Sequence, residues 1–424
     1  MKGKEISVSE SKRDHMPMKP PIPLSDLRGY SRLAVDATLG VTDIVETVHA
    51  TILRGPFLRV PAHGRTRGIP GLVYHTIRGT TRLVGVSLDA LLAQLDAALD
   101  PASSSAEREA LQAAANGGLG DHLAASANPL AIPMRLRRDG QPLDLTTPAL
   151  AAALPQATGK VLVLAHGLCM NDRQWRRKGH DHGAALAADA GFTPVYLHYN
   201  SGLHVSTNGR AFAGQLEALV GAWPVPVDEL VIIGHSMGGL LARSACYYGG
   251  LAGHAWPRHL RKIVFLGTPH HGTAFERGGN WVTVALGVSR YTAAFARLGK
   301  IRSAGITDLR YGSFLDEDWE DRDRFARDSD TRRVLPLPEG VQCYAIGAAI
   351  PTGERVPSAP LLGDGLVPLR SALGEHPDPA RNLSFPASQQ WIGYGMNHWD
   401  LLDRGEVYEQ IRRWLAGPLI ESGD

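Results

Sequence analysis

The sequence predicts an α/β protein: a mostly parallel sheet covered by helices on both faces, preceded by a helical N-terminal region. Three observations carry this. Short apolar runs alternate with helix-like segments from about residue 160 onward, the pattern of parallel strands buried on both faces. One of those runs ends in Gly234-His-Ser-Met-Gly238 and continues as a helix. Before residue 120 the apolar residues instead recur at helical spacing.

The chain has 424 residues, enough for two or three domains or one large domain with additions. Hydrophobic residues make up 44% and charged residues 20%, the composition of a globular protein rather than a disordered or fibrous one. Lys and Arg (44) nearly balance Asp and Glu (42), a net charge of +2, and no basic run resembles a phosphate-tracking stripe. Nucleic acid is therefore excluded as a partner. Cys169, Cys246 and Cys343 are too few and too scattered for a disulfide framework or a zinc knuckle.

Residues 1–25 are charged and then proline-rich, and read as a flexible leader. They lack the apolar core of a secretory signal, and no run of 18 apolar residues exists to span a bilayer. The expected location is cytoplasmic, with peripheral membrane association left open. Residues 26–130 read as the helical region. Val41, Val45, Val48 and Ile52 form a stripe expected to pack on the rest of the chain. The stretch 54–70 reads as a loop. A second helix is expected over about 73–99 with Leu88, Leu92, Leu95 and Leu99 on one face. An alanine-rich helix is expected over about 106–116, stopped by Asn116-Gly117-Gly118. An amphipathic helix here is also a candidate to lie on a membrane surface.

Residues 131–424 are assigned to the α/β domain. Alternating residues either side of Asp139-Gly140 predict a hairpin. Strands are expected at 160–165, 193–199, 229–234, 261–267, 341–347 and 389–393, and helices at 179–190, 207–222, 237–248 and about 405–415.

The chemistry concentrates at strand ends. In Gly-x-Ser-x-Gly, Gly234 and Gly238 remove the Cβ atoms that would clash in a strand-to-helix turn. Such a turn presents Ser236 Oγ at the carboxyl edge of the sheet, with helix N–H groups aimed at developing negative charge. The run 161–165 ends in His166-Gly167-Leu168, 70 residues before the serine. The backbone N–H groups of Leu168 and Met237 are the expected oxyanion donors. Partners of a serine nucleophile come after it in the order acid, then histidine. Asp364, between Gly363 and Gly365, lies in a tight loop after the seventh expected strand. His398 lies between the last strand and the last helix. His376 sits in a polar, exposed-looking run. Asp400 is too near His398 in sequence to reach the correct ring edge.

Together with Gly267-Thr-Pro-His270-His271-Gly272, these segments resemble α/β-hydrolases of the bacterial lipase/esterase type. Residues 267–272 are similar to triacylglycerol lipases and to GPI inositol-deacylase-like hydrolases. The resemblance spans roughly residues 160–415. It implies the α/β-hydrolase fold and a serine hydrolase that cleaves carboxylic esters through an acyl-enzyme on Ser236, with Asp364 and His398 completing the triad and no cofactor. An acyltransferase, or a polyester or lipid-anchor deacylase, would use the same residues. A non-catalytic membrane-peripheral protein on this fold is the alternative from another class.

The insertion at about 274–335, between the sixth and seventh strands, is expected to be a lid. Trp281, Val284, Leu286, Val288, Tyr291 and Phe295 make it apolar enough to cover a lipid-like or medium-to-long acyl ester. His166, His235, His270 and His271 are candidates to line the pocket. The acidic run 316–321 lacks calcium-loop spacing and reads as a solvated loop. The run 179–183 has Asp and Gly suited to helix capping and too few ligands for zinc, so no metal is expected.

Overall fold

The computed structural model describes residues 23–54, 66–98, 105–273, 302–324, 330–350 and 363–416. The chain divides into two compact units, 1–104 and 105–424. The boundary lies at residue 104 rather than at 130, because the third helix belongs to the second unit.

The first unit contains two long helices, α1 (Leu24–Arg54) and α2 (Gly68–Ala98). They pack closely where Gly85 faces Val35: a Cβ at Gly85 would lie 2.8 Å from a Val35 methyl. α2 starts five residues before the expected Val73. Of the aliphatic stripe of α1, Val41 and Val45 are exposed. Val48, Ile52, Leu95 and Leu99 have side chains outside the described residues.

In the second unit, α3 (Ala106–Ala125) begins at Ser105, whose side chain accepts from the Arg108 N–H. It does not stop at Asn116-Gly117-Gly118. The Asn116 side chain donates to the Gln112 and Leu130 carbonyls and accepts from the Ile132 N–H, so it ties the helix to the segment after it instead of capping it. The glycines serve close packing. A Cβ on Gly117 would lie 2.2 Å from Cys169 Sγ, and one on Gly120 would lie 1.9 Å from Asn200 Oδ1.

Eight strands form one sheet in the order β2-β1-β4-β3-β5-β6-β7-β8. β1 (Arg135–Arg138) and β2 (Gln141–Pro142) make the expected hairpin, with Asp139 and Gly140 both at positive φ. β1 runs antiparallel to β4 (Thr193–His198). From β4 the sheet is parallel through β3 (Lys160–Ala165), β5 (Glu229–His235), β6 (Leu260–Leu266), β7 (Gln342–Ala349) and β8 (Gln390–Tyr394).

Both faces of the central strands are buried, which explains their unbroken apolar runs. Along β3, Val161 and Val163 join a core with Phe212 of α6 (Val205–Gly221) and Leu240 of α7 (Met237–Leu251). Leu162 and Leu164 point the other way, into a core with Leu186 of α5 (His182–Ala190) and Ile411 of the C-terminal helix (Gly405–Ala416). Parallel pairing from β4 to β8 brings the carboxyl ends of these strands to one rim. The strand-end motifs therefore converge there.

Of the expected lid, residues 274–301 and 325–329 lie outside the described residues, including all six apolar side chains that suggested it. Within its described part, Asp316 and Asp318 are buried rather than solvated. Asp318 accepts from the Phe314 and Leu315 N–H groups, and Asp316 pairs with Arg210. In the run 179–183, Asp181 caps α5 by accepting from the Ala184 N–H.

Candidate active site

β5 ends at His235, and α7 starts at Met237. Between them Ser236 adopts φ 55° and ψ −123°. A side chain held at positive φ in this way costs roughly 1–3 kcal/mol, which the packing around it must offset. That packing is backbone on backbone. A Cβ on Gly234 would lie 2.6 Å from Gly239 Cα, and one on Gly238 would lie 2.2 Å from the Ala165 carbonyl oxygen. The Ser236 N–H donates to the Leu266 carbonyl at 2.8 Å, which fastens the turn to the end of β6. Ser236 is partly exposed while its neighbours His235 and Met237 are buried.

The loop after β3 reaches the same point. A Cβ on Gly167 would lie 2.9 Å from Ser236 Cβ, so only glycine lets this loop approach the serine. Leu168 is the next residue. Cys169 then adopts φ 61° and donates its N–H to Ser201 Oγ at 3.0 Å. Met237 is the first residue of α7, so its N–H has no partner one turn earlier in the helix. Burial pushes the Cys169 thiol up to about 12, which keeps it protonated and poorly nucleophilic.

His398 and Asp364 arrive from loops after β8 and β7. His398 Nδ1 lies 2.6 Å from Asp364 Oδ2, and both residues are buried. The other carboxylate oxygen accepts from the N–H groups of Leu366 (2.9 Å) and Val367 (2.8 Å). The His398 N–H donates to the Asp364 carbonyl at 3.1 Å, a second tie between the two loops. Gly363 (φ 69°) and Gly365 (φ 93°) supply the positive φ values this turn requires.

The imidazole lies against the ends of β5 and β6. A Cβ on Gly267 would lie 3.0 Å from His398 Cε1, and Gly267 comes directly after the residue that receives the Ser236 N–H. The His235 ring centroid is 4.6 Å from that of His398. Serine, histidine and aspartate are thus brought to one rim, with Leu168 and Met237 beside the serine. Among the described residues no hydrogen bond joins Ser236 Oγ to His398.

The four histidines considered for the pocket are all buried. His166 stacks on Tyr199 (4.4 Å between centroids), and its Nδ1 lies 2.8 Å from the Gly167 carbonyl. Burial lowers its pKa to about 3. His235 Nε2 lies 3.2 Å from the His398 carbonyl; desolvation, followed by the nearby His398, holds His235 neutral. His270 packs between Phe265 and Phe385. His271 Nε2 lies 3.0 Å from the Gly374 carbonyl. These contacts are to the protein's own interior. His376 is half-buried beside His271 and Asp330, and Asp400 accepts from the Asn397 N–H.

His235, expected to line the pocket, instead has its ring beside that of His398. Sequence reading missed one contributor, α3, which holds Cys169, Ser303 and the segment 200–202. The Gly120 carbonyl accepts from Asn200 Nδ2, and the Gly117 carbonyl accepts from Ser303 Oγ. The available signal was the spacing of Gly117 and Gly120 on one helix face.

Residues 156–335 match the family model described as the PGAP1-like alpha/beta domain. No curated protein matches the chain. Among solved structures the chain is similar to the mature form of the Bacillus licheniformis lipase BlEst2, at 16% identity, covering 67% of this chain and 98% of that one, TM-score 0.40. It is similar to Aspergillus fumigatus lipase B at 11% identity, covering 91% and 82%, TM-score 0.37. It is also similar to Staphylococcus hyicus lipase at 15% identity, covering 61% and 95%, TM-score 0.34. The chain carries an α/β fold built on one mostly parallel eight-stranded sheet, and residues 156–335 of it match the PGAP1-like alpha/beta domain.

Proposed function

We propose that this protein hydrolyses carboxylic esters with lipid-like or medium-to-long acyl chains, through an acyl-enzyme on Ser236. The observation that carries the reading is the 2.6 Å pair of His398 Nδ1 and Asp364 Oδ2, held beside the strained turn that bears Ser236.

That pair leaves His398 Nε2 as the proton acceptor and fixes the ring's tautomer. Ser236 Oγ attacks the ester carbonyl carbon as its proton passes to Nε2. The oxyanion is stabilised by the N–H groups of Leu168 and Met237. One such donor is worth about 3–4 kcal/mol of transition-state stabilisation. Collapse breaks the ester C–O bond, and His398 returns the proton to the leaving alkoxide. Water then gives its proton to His398 while its oxygen attacks the acyl-enzyme, releasing the carboxylic acid and restoring Ser236. No step needs a cofactor.

Support for an acyl chain of some length comes from the aliphatic and aromatic composition of residues 274–335. A fluorophosphonate probe should label Ser236 and leave a Ser236→Ala variant unlabelled. A series of nitrophenyl esters should be hydrolysed best at medium-to-long acyl length. Failure of the folded protein to label would reject the mechanism, and a preference for acetate would reject the acyl assignment.

A further inference from the structure

Ser236 and His398 arrive at the rim on different elements, and a polar tie between those elements runs through residue 235. His235 Nε2 lies 3.2 Å from the His398 carbonyl oxygen. A carbonyl only accepts, so this nitrogen carries the proton. The ring is fully buried, and its Nδ1 has no partner among the described residues. A proton on Nδ1 would leave a buried N–H without an acceptor, so burial keeps the ring neutral with its one proton on Nε2.

The tie is placed between nucleophile and base. His235 ends β5 and is bonded directly to Ser236, whose own N–H is fastened to the Leu266 carbonyl at 2.8 Å. On the other side, the main chain of His398 is held at both polar groups: its N–H donates to the Asp364 carbonyl at 3.1 Å, and its carbonyl accepts from His235. Asp364 fixes the tautomer and the direction of the His398 ring. It does not fix how far the His398 loop stands from the end of β5, and His235 spans that gap. The His235 ring is itself boxed in. Trp175 and Trp399 lie 6.4 and 6.1 Å away between ring centroids, and a Cβ on Gly167 would lie 3.3 Å from its Nδ1.

We propose that His235 is a positioning residue: its Nε2–H, donated to the His398 carbonyl, sets the distance at which the His398 imidazole faces Ser236. The proposal rests on the reading of Ser236 as nucleophile and His398 as base. It is tested on the full chain by steady-state hydrolysis of a nitrophenyl ester, by the rate of fluorophosphonate labelling, and by melting temperature. His235→Gln carries an amide N–H at about the reach of Nε2. His235→Asn carries the same group one methylene short, and His235→Phe keeps a ring without the donor. The Asn and Phe variants should lose about 10–100-fold in kcat and in labelling rate with KM little changed, the cost of a base displaced by about 1 Å. The Gln variant should recover most of that loss. In the wild-type chain, nitrogen NMR at neutral pH should show His235 as the Nε2–H tautomer. The proposal is overturned by the opposite tautomer, by equal kcat in the Gln and Asn variants, by a loss confined to KM, or by rates that merely follow melting temperature. A wild-type chain that neither labels nor hydrolyses esters overturns the catalytic reading and this proposal together. An active wild-type chain with unimpaired Asn and Phe variants overturns this proposal alone.

Discussion

At the scale of single residues, the candidate site depends on hydrogen bonds that fix the proposed catalytic groups. Asp364 receives two backbone N–H groups on one oxygen and His398 on the other, so it is held by geometry rather than by a neighbouring cation. Ser236→Ala should keep the fold and lower the rate of ester hydrolysis by roughly 10⁴–10⁶, as removal of a triad nucleophile does elsewhere. Asp364→Asn should lower turnover by about 10⁴, because the amide favours the wrong tautomer of His398. Steady-state hydrolysis of a nitrophenyl ester checks both, and near-normal turnover in either would reject the assigned roles. The three side chains were legible in the sequence because each lies at a strand end between glycines or before a helix. His235 was named only as a pocket candidate, because its contact with His398 depends on the approach of a loop 163 residues away.

Among the elements, α3 shows why a local signal can mislead. Asn-Gly-Gly is a helix stop only where the asparagine side chain and the glycines have nothing better to do. Here Asn116 bonds across to residues 130 and 132, and Gly117 lies against the backbone of Cys169. Gly117→Ala should therefore act on catalysis as well as stability. Its Cβ would lie within 2.9 Å of the Cys169 Cα and N as well as 2.2 Å from its Sγ, so the loop carrying Leu168 must shift. The expected cost is about 1–3 kcal/mol of stability, with a fall in kcat larger than any change in KM. If kcat is unchanged while the melting temperature drops, α3 is only a packing element. Ser105→Ala, at the far end of the same helix, should cost about 1 kcal/mol through the lost cap and leave kcat alone.

For the whole molecule, buried neutral histidines tie stability to pH. Desolvation lowers His166 to about 3, and His182 and His271 to about 4. The unfolded chain, with histidines near 6.5, binds more protons than the folded one below that value. Stability is thus fully present above about pH 6.5 and lost progressively as pH falls towards about 4. The slope is up to about 1.4 kcal/mol per pH unit for each histidine. Melting temperature measured from pH 8 to 4 should fall in that window. His182→Gln should flatten the fall, since a neutral side chain in its place adds no proton uptake to the unfolded state; an unchanged slope would contradict this.

Sequence alone determined the α/β order, the six central strands to within a residue or two, the hairpin at Asp139-Gly140, and the residues that meet at the rim. Periodicity, glycine placement and chain order are local properties, and parallel winding turns them into position without further information. Tertiary structure decided the rest. It carried α3 through its glycines and assigned that helix to the second unit. It also buried the histidines among protein groups. In each case the outcome depends on which distant surface a side chain meets. An apolar stripe reads the same in sequence whether its partner is protein, lipid or water.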